Sequence, residues 1–166
     1  MVCLNPPAVY ITTSRSPSPR SRTLVNALAL ITPARKIIRG KKSLQVLLNE
    51  CGVDSTIAVV FERFGNPAGL TLYIRGQPTQ TLTFSGFRVS RGLKQLVDKV
   101  GVARVVGSPK TPRSEMALRL KEFLTSLPPA QGKLMTNIDV FEKDGREVVT
   151  LTLRGVQCVN FYFRVN

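Results

Sequence analysis

Helical spacings and strand-like runs follow one another along this chain in an order that occurs twice, and that repetition limits the fold more than any single motif. A strand-like run at Val9–Thr13 leads in. Leu24, Val25, Leu28 and Ile31 then share one helical face, with Ser18 placed to cap and Pro19 at the first helical position, where its missing N–H costs nothing. A short strand over 35–38 precedes a second helix, capped by Ser43, faced by Leu44, Leu47, Leu48 and Cys51, and stopped by Gly52. Three strands follow, over 56–64, 70–75 and 80–87, with turns expected at Gly65-Asn66-Pro67 and Gly76-Gln77-Pro78. The run over 56–64 is nearly all apolar, the pattern of a central strand buried on both faces.

Residues 90–165 begin the order again. Leu93, Leu96, Val97 and Val100 make a helix, 102–106 a strand, and Ser114 caps a helix that turns Ala117, Leu120, Leu124 and Leu127 inward. Three strands over 137–143, 146–154 and 156–165 close the series, the first two joined by the hairpin dipeptide Asp144-Gly145. The expectation is an α/β fold in one domain spanning 1–166. It consists of two similar α-β-α-β-β-β lobes, about 1–88 and about 89–166, related by an approximate two-fold. The halves match in element order, not residue by residue. In this arrangement the loop at Arg39–Lys42 corresponds to the loop at Lys110–Arg113, and both flank a groove between the lobes.

Charge narrows the function. The 166 residues carry 24 Lys and Arg against 10 Asp and Glu, a net charge of +14. Eight of those cations lie in the first fifty residues beside one acid, Glu50. So lopsided a field repels itself and is tolerated where a polyanion neutralises it. Nucleic acid is the first such partner, with an acidic membrane surface or an acidic protein behind it. There is no histidine, which excludes Ser-His and Cys-His nucleophile pairs, a histidine base and a histidine-ligated metal. Cys3, Cys51 and Cys158 stand far apart without a CxxC, so neither a zinc cage nor a disulfide framework is expected, and the thiols read as reduced. No apolar run is long enough for a membrane span, and the start of the chain lacks the pattern of a secretory signal.

Two stretches carry candidate binding chemistry. Thr12–Arg22 joins a strand to a helix start, where free N–H groups and the helix dipole favour an anion. Ser14, Ser16 and Ser18 add hydroxyls there, and Arg15, Arg20 and Arg22 add charge, the groups a nucleic-acid phosphate seeks. Arg39-Gly40-Lys41-Lys42-Ser43 repeats the device at the next helix. No GxxxxGK[ST] loop is present, so nucleotide hydrolysis has no support. The strand aromatics read as core, since Val159, Phe161, Phe163 and Val165 alternate inward, which leaves Tyr162 and Arg164 outward as a candidate stacking pair. Asp139, Glu142, Asp144 and Glu147 surround the Asp-Gly hairpin and read as solvated charge, and Glu62 as a local ion partner of Arg63. No acid–base constellation results, and no catalytic residue, metal or cofactor is expected.

Tyr10-Ile11-Thr12-Thr13-Ser14-Arg15-Ser16-Pro17-Ser18-Pro19-Arg20, then Ile38-Arg39-Gly40-Lys41, then Glu62-Arg63-Phe64-Gly65-Asn66-Pro67-Ala68-Gly69-Leu70 form a spaced set. In these the chain resembles the Brix domain family of ribosome-biogenesis proteins, whose members carry an ITTSR.PS.R start, an RG after the first helix and an E.RG.P.GL turn. Phe64 stands where many members have Arg, and the C-terminal half matches mainly in element order and in Val159-Asn160-Phe161. The basic-aromatic ending of eukaryotic members is cut short at 161–166, and a bare domain is similar to the single-domain archaeal members. The resemblance implies two lobes akin to the anticodon-binding domain of class II synthetases. It also implies binding of ribosomal RNA or its precursor during processing or subunit assembly, with other ribosome-assembly proteins as further partners and neither a membrane nor a small-molecule substrate. Its location would be the cytoplasm, or the nucleolus in a eukaryote. Ser14, Arg15, Ser16, Arg20, Arg39 and Lys41 carry over as RNA contacts, and Arg22, Arg35 and Lys42 join them on charge alone. A scaffold that binds acidic proteins is the alternative; an enzyme acting on a phosphorylated substrate lacks the carboxylate placement it needs.

Overall fold

The computed structural model describes residues 8–165, so Cys3 lies outside the described residues. Its elements are β1 (Val9–Thr13), α1 (Pro19–Ile31), β2 (Arg35–Lys36), α2 (Leu44–Cys51), β3 (Thr56–Arg63), β4 (Asn66–Ile74), β5 (Gln77–Thr83), β6 (Gly86–Val89), α3 (Leu93–Val97), β7 (Val102–Gly107), α4 (Glu115–Thr125), β8 (Leu134–Lys143), β9 (Arg146–Leu153) and β10 (Val156–Arg164). They form two five-stranded sheets, ordered β2-β1-β3-β4-β5 and β6-β10-β9-β8-β7. In the first, β1 runs parallel to β2 and β3, and β3-β4-β5 is an antiparallel meander. In the second, β7 is parallel to β8, β8-β9-β10 is the meander, and β6 closes on β10.

The apolar run in β3 is central, as its composition requires. Ala58 and Val60 enter the main core, while Ile57 and Val59 face the other way and pack with Leu47 and Leu48 of α2. Helix α1 is the shared layer. It buries Leu24, Val25, Ala27, Leu28 and Ile31 and touches β1, β3 and β4 of one sheet as well as β6 and β10 of the other. Two hydrogen bonds stitch the halves further: the Thr136 hydroxyl donates to the Ile31 carbonyl, and Arg119 donates to Thr81 O at 3.1 Å.

The strand expected over 80–87 is two strands. Between them Phe84 drops into the core beside Phe161, with ring centroids 5.1 Å apart, and the chain passes from the first sheet to the second. The turns expected at 65–67 and 76–78 shift by a residue or two, while Asp144-Gly145 lies where expected. Phe64-Gly65, Arg75-Gly76, Asp144-Gly145 and Arg154-Gly155 each have both φ angles positive and each joins directly paired strand ends, which makes them type I′ hairpins. Pro67 and Pro78, which read as turn residues, sit inside β4 and β5 beside register shifts, where a missing N–H breaks no ladder bond. Helix α3 is shorter than its apolar spacing implies, ending where Asp98 takes φ 53°. Val159, Phe161 and Phe163 are buried as expected.

Candidate nucleic-acid interface

Two loops leave the carboxyl ends of the parallel neighbours β1 and β2 side by side, and hydrogen bonds hold them together. The buried Thr12 hydroxyl donates to Ile37 O at 2.7 Å, and Ile37 N donates to Ile11 O at 3.0 Å. Arg39 then folds back, its Nη1 donating to Thr13 O at 3.4 Å and its Nε to Lys42 O at 3.1 Å. Between the loops lies a cleft of about 520 Å³. Arg15, Arg22, Lys36, Arg39 and Lys41 line it, no carboxylate does, and its apolar lining is Pro17, Val25, Ile37 and the exposed Ile38. Burial, and then the neighbouring charge of Arg15, push the Arg39 guanidinium below its ordinary value. Like charges crowd this cleft, and an anion between them would relieve the crowding.

Of the residues expected to contact RNA, the cleft unites Arg15, Arg22, Arg39 and Lys41. Lys36 is an addition, held by its ammonium on Asn26 Oδ1 at 2.8 Å. Ser14, Ser16 and Arg35 do not line the cleft. Lys42 pairs with Glu50 at 2.9 Å. Arg20 turns the other way, donating to Asn66 Oδ1 at 2.8 Å and lying 4.9 Å over the Phe87 ring. No residue of the 110–113 loop is in the lining, which comes from residues 13–41 alone among the described residues.

The start of α1 corrects one expectation. Its anion is the chain's own: Glu62 accepts from Ser18 N at 2.6 Å and from the Ser21 hydroxyl at 2.5 Å, while Ser18 Oγ accepts from Ser21 N. A phosphate arriving here would meet a seat already filled. Glu62 therefore is not Arg63's ion partner; Arg63 lies 5.9 Å over the Phe61 ring instead. Burial raises the Glu62 carboxyl, but the bonds from Ser21 and Ser18 outweigh it and hold the group below the usual carboxylate value.

Glu147 requires a second correction. It is buried rather than solvated, and it accepts from Arg113 N and Ser114 N, each at 2.9 Å, ahead of α4. Tyr162 has Arg146, not Arg164, over its ring, at 5.1 Å. Cys51 and Cys158 are free thiols, and burial raises both. Among the described residues no three of His, Cys, Asp and Glu gather as a metal site, and no helix is long and apolar enough to cross a membrane.

The three motif segments converge on this region. The first two carry the cleft's loops, and the third is the β3–β4 hairpin that supplies Glu62 to α1. Comparison with known proteins follows the same lines. No family model matches the chain. Probable Brix domain-containing ribosomal biogenesis proteins are 48% identical over 69 residues in Pyrobaculum aerophilum and 44% identical over 65 residues in Methanosarcina mazei. Those segments make up 39% of this chain and only 38% and 41% of the two proteins. Solved structures extend the likeness to the whole fold. A probable ribosomal biogenesis protein from Aeropyrum pernix aligns with a TM-score of 0.66 at 26% identity, over 95% of either chain. Mil, an archaeal Imp4-like protein, aligns with a TM-score of 0.66 at 30% identity, over 95% of this chain and 97% of its own. With identity at that level across nearly the full length of an Imp4-like fold, and the three motifs gathered in space, the chain belongs to the Brix domain family of ribosome-biogenesis proteins.

Proposed function

We propose that this protein is a non-catalytic ribosome-biogenesis factor that binds ribosomal RNA or its precursor by seating phosphates among Arg15, Arg22, Lys36, Arg39 and Lys41. The observation that carries the reading is the meeting of these five cations on one cleft that no carboxylate lines. Arg39 is partly pre-ordered by its bonds to Thr13 O and Lys42 O, so less side-chain freedom is lost when a phosphate binds. The work is chaperone-like: an rRNA segment is held in one geometry, and sequence is read in unpaired stretches. On this reading the protein acts where precursor ribosomes are assembled, in the cytoplasm or nucleolus, beside other assembly factors. The same reading takes the two sheets as two lobes related by an approximate two-fold, each akin to a class II synthetase anticodon-binding domain. The order β1-α1-β3-β4-β5, with β2 and α2 set aside as an insertion between α1 and β3, matches β7-α4-β8-β9-β10 and supports it, although it pairs β7 with β1 where the α-β-α-β-β-β order pairs it with β2.

A protein-scaffold role is the second reading, favoured by the apolar part of the cleft lining, the exposed Ile38 included, which suits an acidic amphipathic peptide. Binding of labelled rRNA fragments over roughly 50–300 mM salt, with heparin and DNA as competitors, separates the two. Arg15→Ala, Arg39→Ala and Lys41→Ala together should weaken RNA binding and flatten the salt slope, by about 0.7 log unit per log unit of salt for each phosphate that the variant no longer neutralises. Equal binding by that triple variant would overturn the cleft as the RNA surface.

A further inference from the structure

Four type I′ turns in this chain make an internal control. Their first central residues are Phe64, Arg75, Asp144 and Arg154, all at φ 52–53°. A polar or flexible residue is ordinary in that left-handed position, whereas a bulky aromatic is uncommon there. Phe64 is the one apolar residue of the four, and its side chain is fully exposed, at 102% of its reference area. It buries nothing, so the hydrophobic effect gives no reason for its presence.

The turn that carries it is tied to the start of α1. Arg20 donates to Asn66 Oδ1, Asn66 Nδ2 donates back to Phe64 O at 3.3 Å, and Glu62 is fastened to Ser18 and Ser21. Both ties end on the loop and first turn of α1, whose other residues Arg15, Pro17 and Arg22 border the cleft. The charge carried near the turn is cationic: Arg63, its guanidinium over the Phe61 ring, precedes Phe64, Arg20 is bonded to Asn66, and the local carboxylate, Glu62, is turned to the helix.

We infer that Phe64 is a stacking platform for an unpaired nucleobase of an RNA strand whose phosphates lie in the adjacent cleft. The inference rests on the RNA-binding reading above and adds a residue and a strand state to it. An exposed aromatic on a turn tied to a cation-bearing helix start offers a base its π-face while the neighbouring charges take the backbone, and it needs no particular sequence. A duplex keeps its bases stacked on one another and leaves the ring without a partner.

The chain has no tryptophan, so Phe64→Trp installs a single reporter at the site. Its fluorescence should be quenched by a single-stranded ribo-oligonucleotide and much less by the matching duplex. Phe64→Leu should weaken single-strand binding about fivefold to a hundredfold, with unchanged salt slope and unchanged melting temperature, while Phe64→Tyr retains binding. If Phe64→Leu binds like the wild type, or the duplex quenches as strongly, the inference is overturned. In that case the cleft triple variant keeps the two claims apart: its failure to bind RNA would leave the RNA reading standing and the tip free for an apolar pocket on a protein. Binding undiminished in both variants would remove the cleft as the RNA surface and this inference together.

Discussion

The starts of α1 and α4 use one device toward opposite ends. Each helix is capped by a serine side chain, Ser18 or Ser114, and each then receives a carboxylate from a distant strand, Glu62 from β3 or Glu147 from β9. Around α4 the basic loop is closed. Arg113 is engaged by Glu142 at 2.6 Å, and Lys121 Nζ donates to Ser108 O and Lys110 O at 2.6 and 2.7 Å, which fastens the loop to the helix. Around α1 the carboxylate goes to the helix and none lines the cleft, so its loop cations keep their charge for something else. A run of Arg and Lys at a helix start is thus not by itself a binding site. What matters is where the nearby carboxylates are spent.

The most damaging way to break the comparison is Glu147→Ala. The buried carboxylate accepts two backbone N–H groups, and hydrogen bonds to a charged acceptor are the costly ones to lose. Destabilisation of about 3 kcal/mol is expected, or roughly 6–12 °C in melting temperature for a chain of this size, readable by circular dichroism. An unchanged melting curve would mean that Glu147 is not a structural cap.

Glu62→Ala should cost less, about 1–2 kcal/mol, because its site is only partly shielded from water. The pH dependence identifies it. Its carboxyl sits below the usual value in the fold, so the unfolded chain binds the proton more readily, and the stabilisation is present above the unfolded value of about 4.3 and lost as pH falls through the folded one. Denaturant midpoints between pH 6 and 3, compared with those of Glu62→Gln, should show the acid-side fall of the wild type reduced in the variant. Two parallel curves would assign that fall to other groups.

These two carboxylates also mark what a linear reading can reach. Ser18, Ser43 and Ser114 were legible as caps because a cap depends on the residues that immediately follow it. The continuous apolar run of β3 was legible as a central strand for a similar reason: composition alone carries double burial. Glu62 and Glu147 reach helix starts 41 to 44 and 33 to 34 residues away, a relation that no periodicity encodes. Lys36 escapes a linear reading because a two-residue strand leaves no alternation to read, and the bonds of Arg20 to Asn66 and of Lys42 to Glu50 are set by the fold and not by local pattern.

A smaller perturbation sharpens the contrast by moving charge between the loops. Glu142→Ala releases Arg113 without touching the Glu147 cap, and the salt slope of RNA binding should steepen by at most about 0.7. Arg113→Ala should leave the slope unchanged, since an ion-paired arginine releases no counterion from RNA. If Arg113→Ala weakens binding as much as Arg15→Ala does, the closed loop is part of the interface after all, and the division between the two helix starts fails.

Phe64→Asn is the mildest change. Asparagine occupies the left-handed region more comfortably than phenylalanine, and the phenylalanine ring buries nothing that the variant would lose. The variant should therefore be more stable than the wild type, by about 0.5–1 kcal/mol, a shift of a few degrees in melting temperature. If the ring stacks on a base, the same variant also loses single-strand RNA affinity, so stability and binding move in opposite directions. That opposition is the signature of a residue kept for binding at some cost to the fold. A variant that is both more stable and an equally good RNA binder would leave Phe64 with no role at this end of α1.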